Sequence, residues 1–358
     1  MDSKLSLNQA ANLIALTGQT NTYMLRGEMG IGKSSILSML AERPEFANHI
    51  PVYVDCTLAD LQDLFLPFMG EHNGVKVTQF APSTRFGLQH GAPLMIMLDE
   101  LTKASPAVMN ALLPLMQEGR LGEHKLPTGS LVFGTGNLAG EGVGDRMPKH
   151  GYNRMTEIIV RKPTPSEWTQ WAIANDVAPE VIAFVTQIGA TLEDYDPKTS
   201  KSNPYINKPD SKDTAFVTPR SLHKAGHIVK QRASIGDHEA FSAALAGTIG
   251  RQAAADMASL ITVADRLTPM EQVLANPLKA KLPEDAIAGL VFAVTAATRI
   301  GSLKAPQLEA LGQYITRMPE EHGALFATLA IRAHVNAVTG TKSMATLFKD
   351  SARLSAGV

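Results

Sequence analysis

The segment Gly27-Glu28-Met29-Gly30-Ile31-Gly32-Lys33-Ser34 has the spacing G-x-x-x-x-G-K-[ST]. Its glycines let the backbone curl around a phosphate chain, and its lysine and hydroxyl sit where the outer phosphates and a metal would be. Lys33 is expected to reach the β- and γ-phosphates of a nucleotide, Ser34 to ligate Mg²⁺, and the backbone from Gly27 through Ser35 to cradle the phosphates. A second run, Leu94-Met95-Ile96-Met97-Leu98-Asp99-Glu100, is apolar until it ends in two acids. Asp99 is expected to hold the Mg²⁺ shell and Glu100 to polarise an attacking water. Thr135-Gly136-Asn137 closes a third apolar run, and Asn137 would emerge beside the γ-phosphate if that strand lies between the other two.

Positioning these residues requires a sheet. Candidate strands fall at 22–26, 51–55, 94–98, 130–135 and 156–161, separated by stretches long enough for crossover helices. That alternation predicts a parallel sheet covered on both faces, and the non-alternating runs at 94–98 and 131–133 read as its central strands. The motif at 27–34 follows one predicted strand and opens a helical run at 34–41, the context a phosphate loop needs. After Arg161 the strand signals fade. Two prolines within 162–166 mark a boundary, with Thr164 or Ser166 able to cap the helix that follows. Helices are predicted at 166–176, 178–190, 219–233 and 237–263, with an exposed polar loop at 194–214. A last helical stretch over 269–358 is punctuated by Pro277, Pro283, Pro306 and Pro319.

At 358 residues the chain exceeds one typical domain of about 100–200 residues. Charged residues make up only 19%, which excludes a charge-extended disordered chain. With 33 basic against 34 acidic residues there is no global basic footprint for nonspecific nucleic-acid binding. Cys56 is the only cysteine, so no internal disulfide and no four-thiolate zinc site can form. The ten histidines show no H-E-x-x-H pattern. The N-terminus lacks the basic start and apolar run of a secretory signal, and the most apolar stretch, 286–298, falls short of the about 20 residues of a membrane span; a cytoplasmic location is expected.

The residues at 27–34, the segment from Asp99 to Ala104, and Asn137 together resemble the AAA+ ATPases, specifically their MoxR-like branch, which includes the CbbQ/NorQ-type activators. In that resemblance 27–34 is Walker A, Asp99 and Glu100 are Walker B, and Asn137 is sensor 1. It extends through Asn153-Arg154-Met155 as the arginine-finger segment and Thr218-Pro219-Arg220 as sensor 2, covering about residues 20–235. The resemblance implies an α/β P-loop core with a five-stranded parallel sheet over 1–161, an all-α lid over 162–264 and a helical extension over 265–358. It implies inserts at 64–88, within the second helix, and a hairpin at 119–131, both facing the pore or the substrate. It further implies ATP and Mg²⁺ as cofactors and a homo-oligomeric ring, a hexamer in the family. Arg154 would enter the neighbour's site, with Arg146 the second choice, Arg220 would report lid closure on ATP, and Lys103 is a weaker candidate for an intersubunit contact. A protein client would be remodelled or activated, sometimes with a von Willebrand A domain protein; no Asp-x-Ser-x-Ser occurs here, so such a partner would be a separate chain.

Three other readings compete. Asn207-Lys208-Pro209-Asp210 fits the guanine-reading N-K-x-D, but a GTPase also needs D-x-x-G, and Asp99 is followed three residues later by Thr102. A ring motor acting on nucleic acid is opposed by the balanced charge and the lack of a helix-turn-helix or zinc-finger pattern. A scaffold that binds nucleotide without hydrolysing it would lack the catalytic acid or finger, whereas Glu100, Asn137 and Arg154 are all present. The alanine-rich C-terminal helices read as packing and assembly surfaces.

Overall fold

The computed structural model describes residues 3–138, 155–208, 211, 213–333 and 341–356. The chain divides into two compact units, Met1–Lys162 and Pro163–Val358. In the first, the described strands are β1 (Tyr23–Arg26), β2 (Ile50–Asp55), β3 (Phe65–His72), β4 (Val75–Pro82), β5 (Leu94–Asp99), β6 (Arg120–Leu121), β7 (His124–Lys125), β8 (Leu131–Gly136) and β9 (Thr156–Ile159). Its helices are α1 (Leu7–Thr17), α2 (Ser35–Ala41), α3 (Leu61–Leu64) and α4 (Pro106–Glu118).

The five predicted strands form one parallel sheet in the order β2-β5-β8-β1-β9. Every residue of β5 and of β8 is buried, as their unbroken apolar runs require of strands covered on both sides. Side chains alternate across the pleat. Leu94, Ile96 and Leu98 join Leu112 and Leu115 of α4 on one face, while Met95 and Met97 join Ile14 of α1 and Ile36 and Leu40 of α2 on the other. Asp99 continues the methionine parity and so emerges on the α2 side. Because β8 lies between β5 and β1, the condition placed on Asn137 by the sequence is met. This is the P-loop arrangement in which the acidic strand is separated from the loop-bearing strand by one other.

The segment expected to be an insert is a two-stranded hairpin, β3 pairing antiparallel with β4. Its turn is Asn73-Gly74, both with positive φ, the signature of a tight hairpin turn. Leu66, Phe68, Met69 and Val75 are exposed on it. The second expected hairpin is the short ladder of β6 and β7.

The second unit is helical: α5 (Pro165–Ala174), α6 (Pro179–Gln187), α7 (Pro219–Lys230), α8 (Arg232–Ile235), α9 (His238–Ile249), α10 (Arg251–Ala264), α11 (Met270–Ala275), α12 (Ala286–Arg299), α13 (Ala305–Ile315), α14 (Glu320–Ala333) and α15 (Lys342–Ala356). Thr164 caps α5 through a reciprocal box with Glu167, and Pro165 takes the first helical position where its missing N–H costs nothing. The stretch predicted as one helix over 237–263 is two, broken at Gly250, whose φ of 89° and ψ of 156° no helix accommodates. One apolar cluster runs from Trp168 to Phe348, joining helices from both ends of this unit. Among the described residues, no helix is long and apolar enough to cross a membrane.

Candidate active site

The loop after β1 turns back on itself at Gly30 and Gly32, with φ of 75° and 102°, a region where a side chain is strained. Its entrance is tied to the sheet by the Gly27 amide, which donates to the Gly136 carbonyl at 3.3 Å. Lys33 is only 6% exposed. Its ammonium donates to the carbonyls of Gly27 (2.7 Å) and Glu28 (2.9 Å) and to Asn137 Oδ1 (2.9 Å). The lysine is thereby drawn along the loop toward the end of β8 rather than out into solvent. Ile31 is buried in the apolar cluster with α1 and α2, anchoring the loop from below. Ser34 caps α2 without a side-chain capping bond, which leaves its hydroxyl for Asp99; Ser35 donates to Gly32 O at 2.7 Å. Met29 stands partly exposed on the loop.

Asp99 is 8% exposed at the end of β5. Its Oδ2 accepts from Ser34 Oγ at 3.1 Å and from the Tyr53 hydroxyl at 2.8 Å, while Oδ1 accepts from Thr135 Oγ1. Thr135 Oγ1 in turn accepts from the Glu100 amide at 3.0 Å. Glu100 has φ of 53° and ψ of 35°, left-handed geometry that costs a non-glycine residue about 1–2 kcal/mol. Such strain persists where surrounding bonds over-determine it, as the Thr135 contact does. The Glu100 carboxylate lies 2.8 Å from Lys103 Nζ, one turn on, in an ion pair without hydrogen-bond alignment.

Two further contacts brace the loop. Arg26 donates to Asn137 O at 3.1 Å and pairs with Glu157 at 3.3 Å. Glu28 pairs with Lys162 at 2.7 Å, their side chains 11% and 3% exposed, in a desolvated ion pair across the loop and the end of the unit. Cys56 is buried beside Asp99, and burial, then Asp55 and Asp99, push its thiol up to about 12.

The structure thus brings together Gly27 to Ser34, Asp99, Glu100 and Asn137 at the C-terminal rim of the sheet. The hydroxyl and carboxylate oxygens of Ser34 and Asp99 are the hard donors Mg²⁺ takes, so the set fits that ion. Arg220 is exposed in the first turn of α7, in the second unit. Arg146 and Arg154 lie outside the described residues. Asn207 and Lys208 are described, with Lys208 donating to Lys201 O at 2.8 Å, while Pro209 and Asp210 are outside. Tyr53, Thr135 and Lys162 escaped sequence reasoning as site residues. For Tyr53 a signal existed: in 50–55 it alternates with Val52 and Val54, which assigns it to one face, but which face needs the register with β5.

Residues 22–130 match the AAA domain, dynein-related subfamily. The Nif-specific regulatory protein of Rhizobium etli is 31% identical over 118 residues, 32% of this chain and 20% of that protein, so the match spans a fifth of that relative's length. Two solved structures are similar in outline. NtrX of Brucella abortus in complex with ATP has 15% identity over 98% of this chain and 67% of its own, with a TM-score of 0.34. A RuvB mutant of Thermotoga maritima has 12% identity over 76% and 74%, with a TM-score of 0.39.

Proposed function

We propose, from the match of residues 22–130 to the AAA domain, that the chain hydrolyses ATP to ADP and phosphate and uses the cycle to remodel or activate a protein client, in the manner of the MoxR-like branch. The observation that carries this reading is the convergence of Lys33, Ser34, Asp99 and Asn137, linked by contacts of 2.9–3.1 Å at the rim where β1, β5 and β8 end. Lys33 leaves the loop carbonyls for the β- and γ-phosphate oxygens, a stronger charge-assisted partner. Ser34 and Asp99 would hold Mg²⁺, which would supply positive charge to the phosphate oxygens. Glu100 turns from Lys103 toward a water, takes its proton as the water oxygen bonds to the γ-phosphorus, and the bond to the ADP oxygen breaks. Asn137, freed of Lys33, orients that water.

The same reading includes a homo-oligomeric ring, hexameric in the resembling family, in which Arg154, or Arg146, enters the neighbour's site. Arg220 meets the γ-phosphate from the lid. The domain division follows the resemblance: core 1–161, lid 162–264, extension 265–358. A von Willebrand A domain protein is the partner class to seek as a separate chain.

Equilibrium binding of a fluorescent ATP analogue and phosphate release test the reading on two variants. Lys33→Ala should lose binding. Glu100→Gln should keep binding while turnover falls about 10²–10⁴-fold, the usual contribution of a general base. Unchanged turnover in Glu100→Gln would remove it as the base, and unchanged binding in Lys33→Ala would overturn the site. Sedimentation of Glu100→Gln with ATP should reveal a ring, and a persistent monomer would sink the assembly.

A further inference from the structure

We infer that Tyr53 is a positioning residue for the metal carboxylate Asp99, an inference that rests on reading this site as one for Mg²⁺ and ATP. β2 is an edge strand, exposed and buried residues alternating along it. Val52 and Val54 enter the apolar layer beneath α4, so Tyr53 points to the opposite face, the one that carries α2 and the phosphate loop. Its register partner on β5 is Met97, and Asp55 pairs with Asp99. Tyr53 and Asp99 are therefore diagonal neighbours on one face, a separation a tyrosine side chain spans. Its hydroxyl donates to Asp99 Oδ2 at 2.8 Å.

Folding does not demand this bond. Tyr53 is 52% exposed, and water could satisfy its hydroxyl. What the bond does is complete a set of three hydroxyls, from β2, the start of α2 and β8, which together fix both oxygens of one carboxylate. A carboxylate offers about four acceptor sites, so one remains for a metal-bound water. Ser34 belongs to the phosphate loop, whereas Tyr53 belongs to the sheet, so its hold on the carboxylate does not depend on the loop. Partners that orient a metal-holding carboxylate in this way are typically worth about 10–100-fold in metal affinity.

The test uses the full chain and Tyr53→Phe, which keeps the ring and removes only the hydroxyl. Binding of a fluorescent ATP analogue is titrated in EDTA and then at fixed analogue with increasing Mg²⁺. The expected result is equal affinity in EDTA and a Mg²⁺ half-saturation raised about tenfold, the lower end of that range. An unchanged half-saturation overturns the proposal, as does a loss of equal size in EDTA, which would mean a structural role. A lowered half-saturation also overturns it, since the phenol would then be competing with the metal's water. If the unsubstituted protein binds the analogue without any dependence on Mg²⁺, the reading of the site fails and the role of Tyr53 fails with it, an outcome distinct from the other three.

Discussion

The two units bury polar side chains in different ways. In the first, the buried polar residues are Lys33, Asp99, Thr102, Thr135, Asn137 and Lys162, and all but Thr102 belong to the contacts around one loop at one rim of the sheet. Those of the second unit are dispersed: Thr218 caps α7, Ser200 closes a turn with Asp194 and Asp196, His322 Nε2 donates to the Ala286 carbonyl of a neighbouring helix, and Thr169 and Thr191 lie at separate places again. A dispersed set spreads the cost of burying polar atoms over many separate places. A concentrated one keeps charge and hydroxyls out of water in one place, which is costly unless the groups answer one another or a ligand. The comparison separates a concentrated polar cluster in the first unit from scattered polar groups in the second.

The largest effect expected from breaking this contrast is at Lys162. Replacing it by Met leaves Glu28 buried without this cation, and loss of one partner of a buried pair typically costs about 3–5 kcal/mol. Calorimetry should register a large fall in the melting temperature of Lys162→Met. The double variant Glu28→Gln/Lys162→Met should recover most of it, because the stranded charge is gone. If the double variant is no better than the single, the pair is not what organises the rim.

How far the site was legible follows from how local each part is. The phosphate loop and the acid at the end of β5 were readable because each is a short run of fixed spacing, and the strand alternation supplied the sheet. Tyr53 was not, because its partner is 46 residues away and meets it only once β2 lies beside β5 in that register. Asn137 was readable only conditionally, on a strand order that no local pattern dictates. Asn73-Gly74 offered a hairpin signal that the reading of 64–88 as an insert passed over. Gly250 was lost inside an alanine-rich stretch whose helical pattern continues on both sides of it, so a single backbone conformation outweighed the pattern.

An intermediate effect is expected in the second unit at Gly289, within α12. A Cβ there would lie 2.3 Å from the ring of His322 on α14, a ring only 7% exposed and held to Ala286 O at 3.0 Å. Alanine favours helix over glycine by about 1 kcal/mol, which opposes the loss. Overpacking of this kind costs about 1–3 kcal/mol, and displacing the ring also breaks its hydrogen bond, worth about 1 kcal/mol. Gly289→Ala should therefore be destabilised on balance. Both tryptophans, Trp168 and Trp171, belong to the second unit, so intrinsic tryptophan fluorescence in urea follows this unit. Adding His322→Ala should cost less than it does alone, the non-additivity that touching residues give. Strict additivity would mean that the two helices do not meet through this pair.

The smallest effect is expected at His223, where the second unit does hold clustered titratable groups, though at its surface. Its ring packs edge-on to Trp171 at 5.3 Å and lies 4.6 Å from the ring of His227. Burial first, then His227 and Lys230, hold its pKa below the ordinary histidine value of 6.5. The unfolded chain therefore takes up this proton before the folded one does as pH falls. Stability is unaffected by His223 well above 6.5, declines as pH drops through that value toward the lower folded pKa, and levels below it. The drop in urea midpoint between pH 8 and pH 5.5, read by tryptophan fluorescence, should be smaller in His223→Gln than in the unsubstituted protein. An identical drop in both proteins would place these histidines with the solvated surface and leave the contrast between the units without an exception.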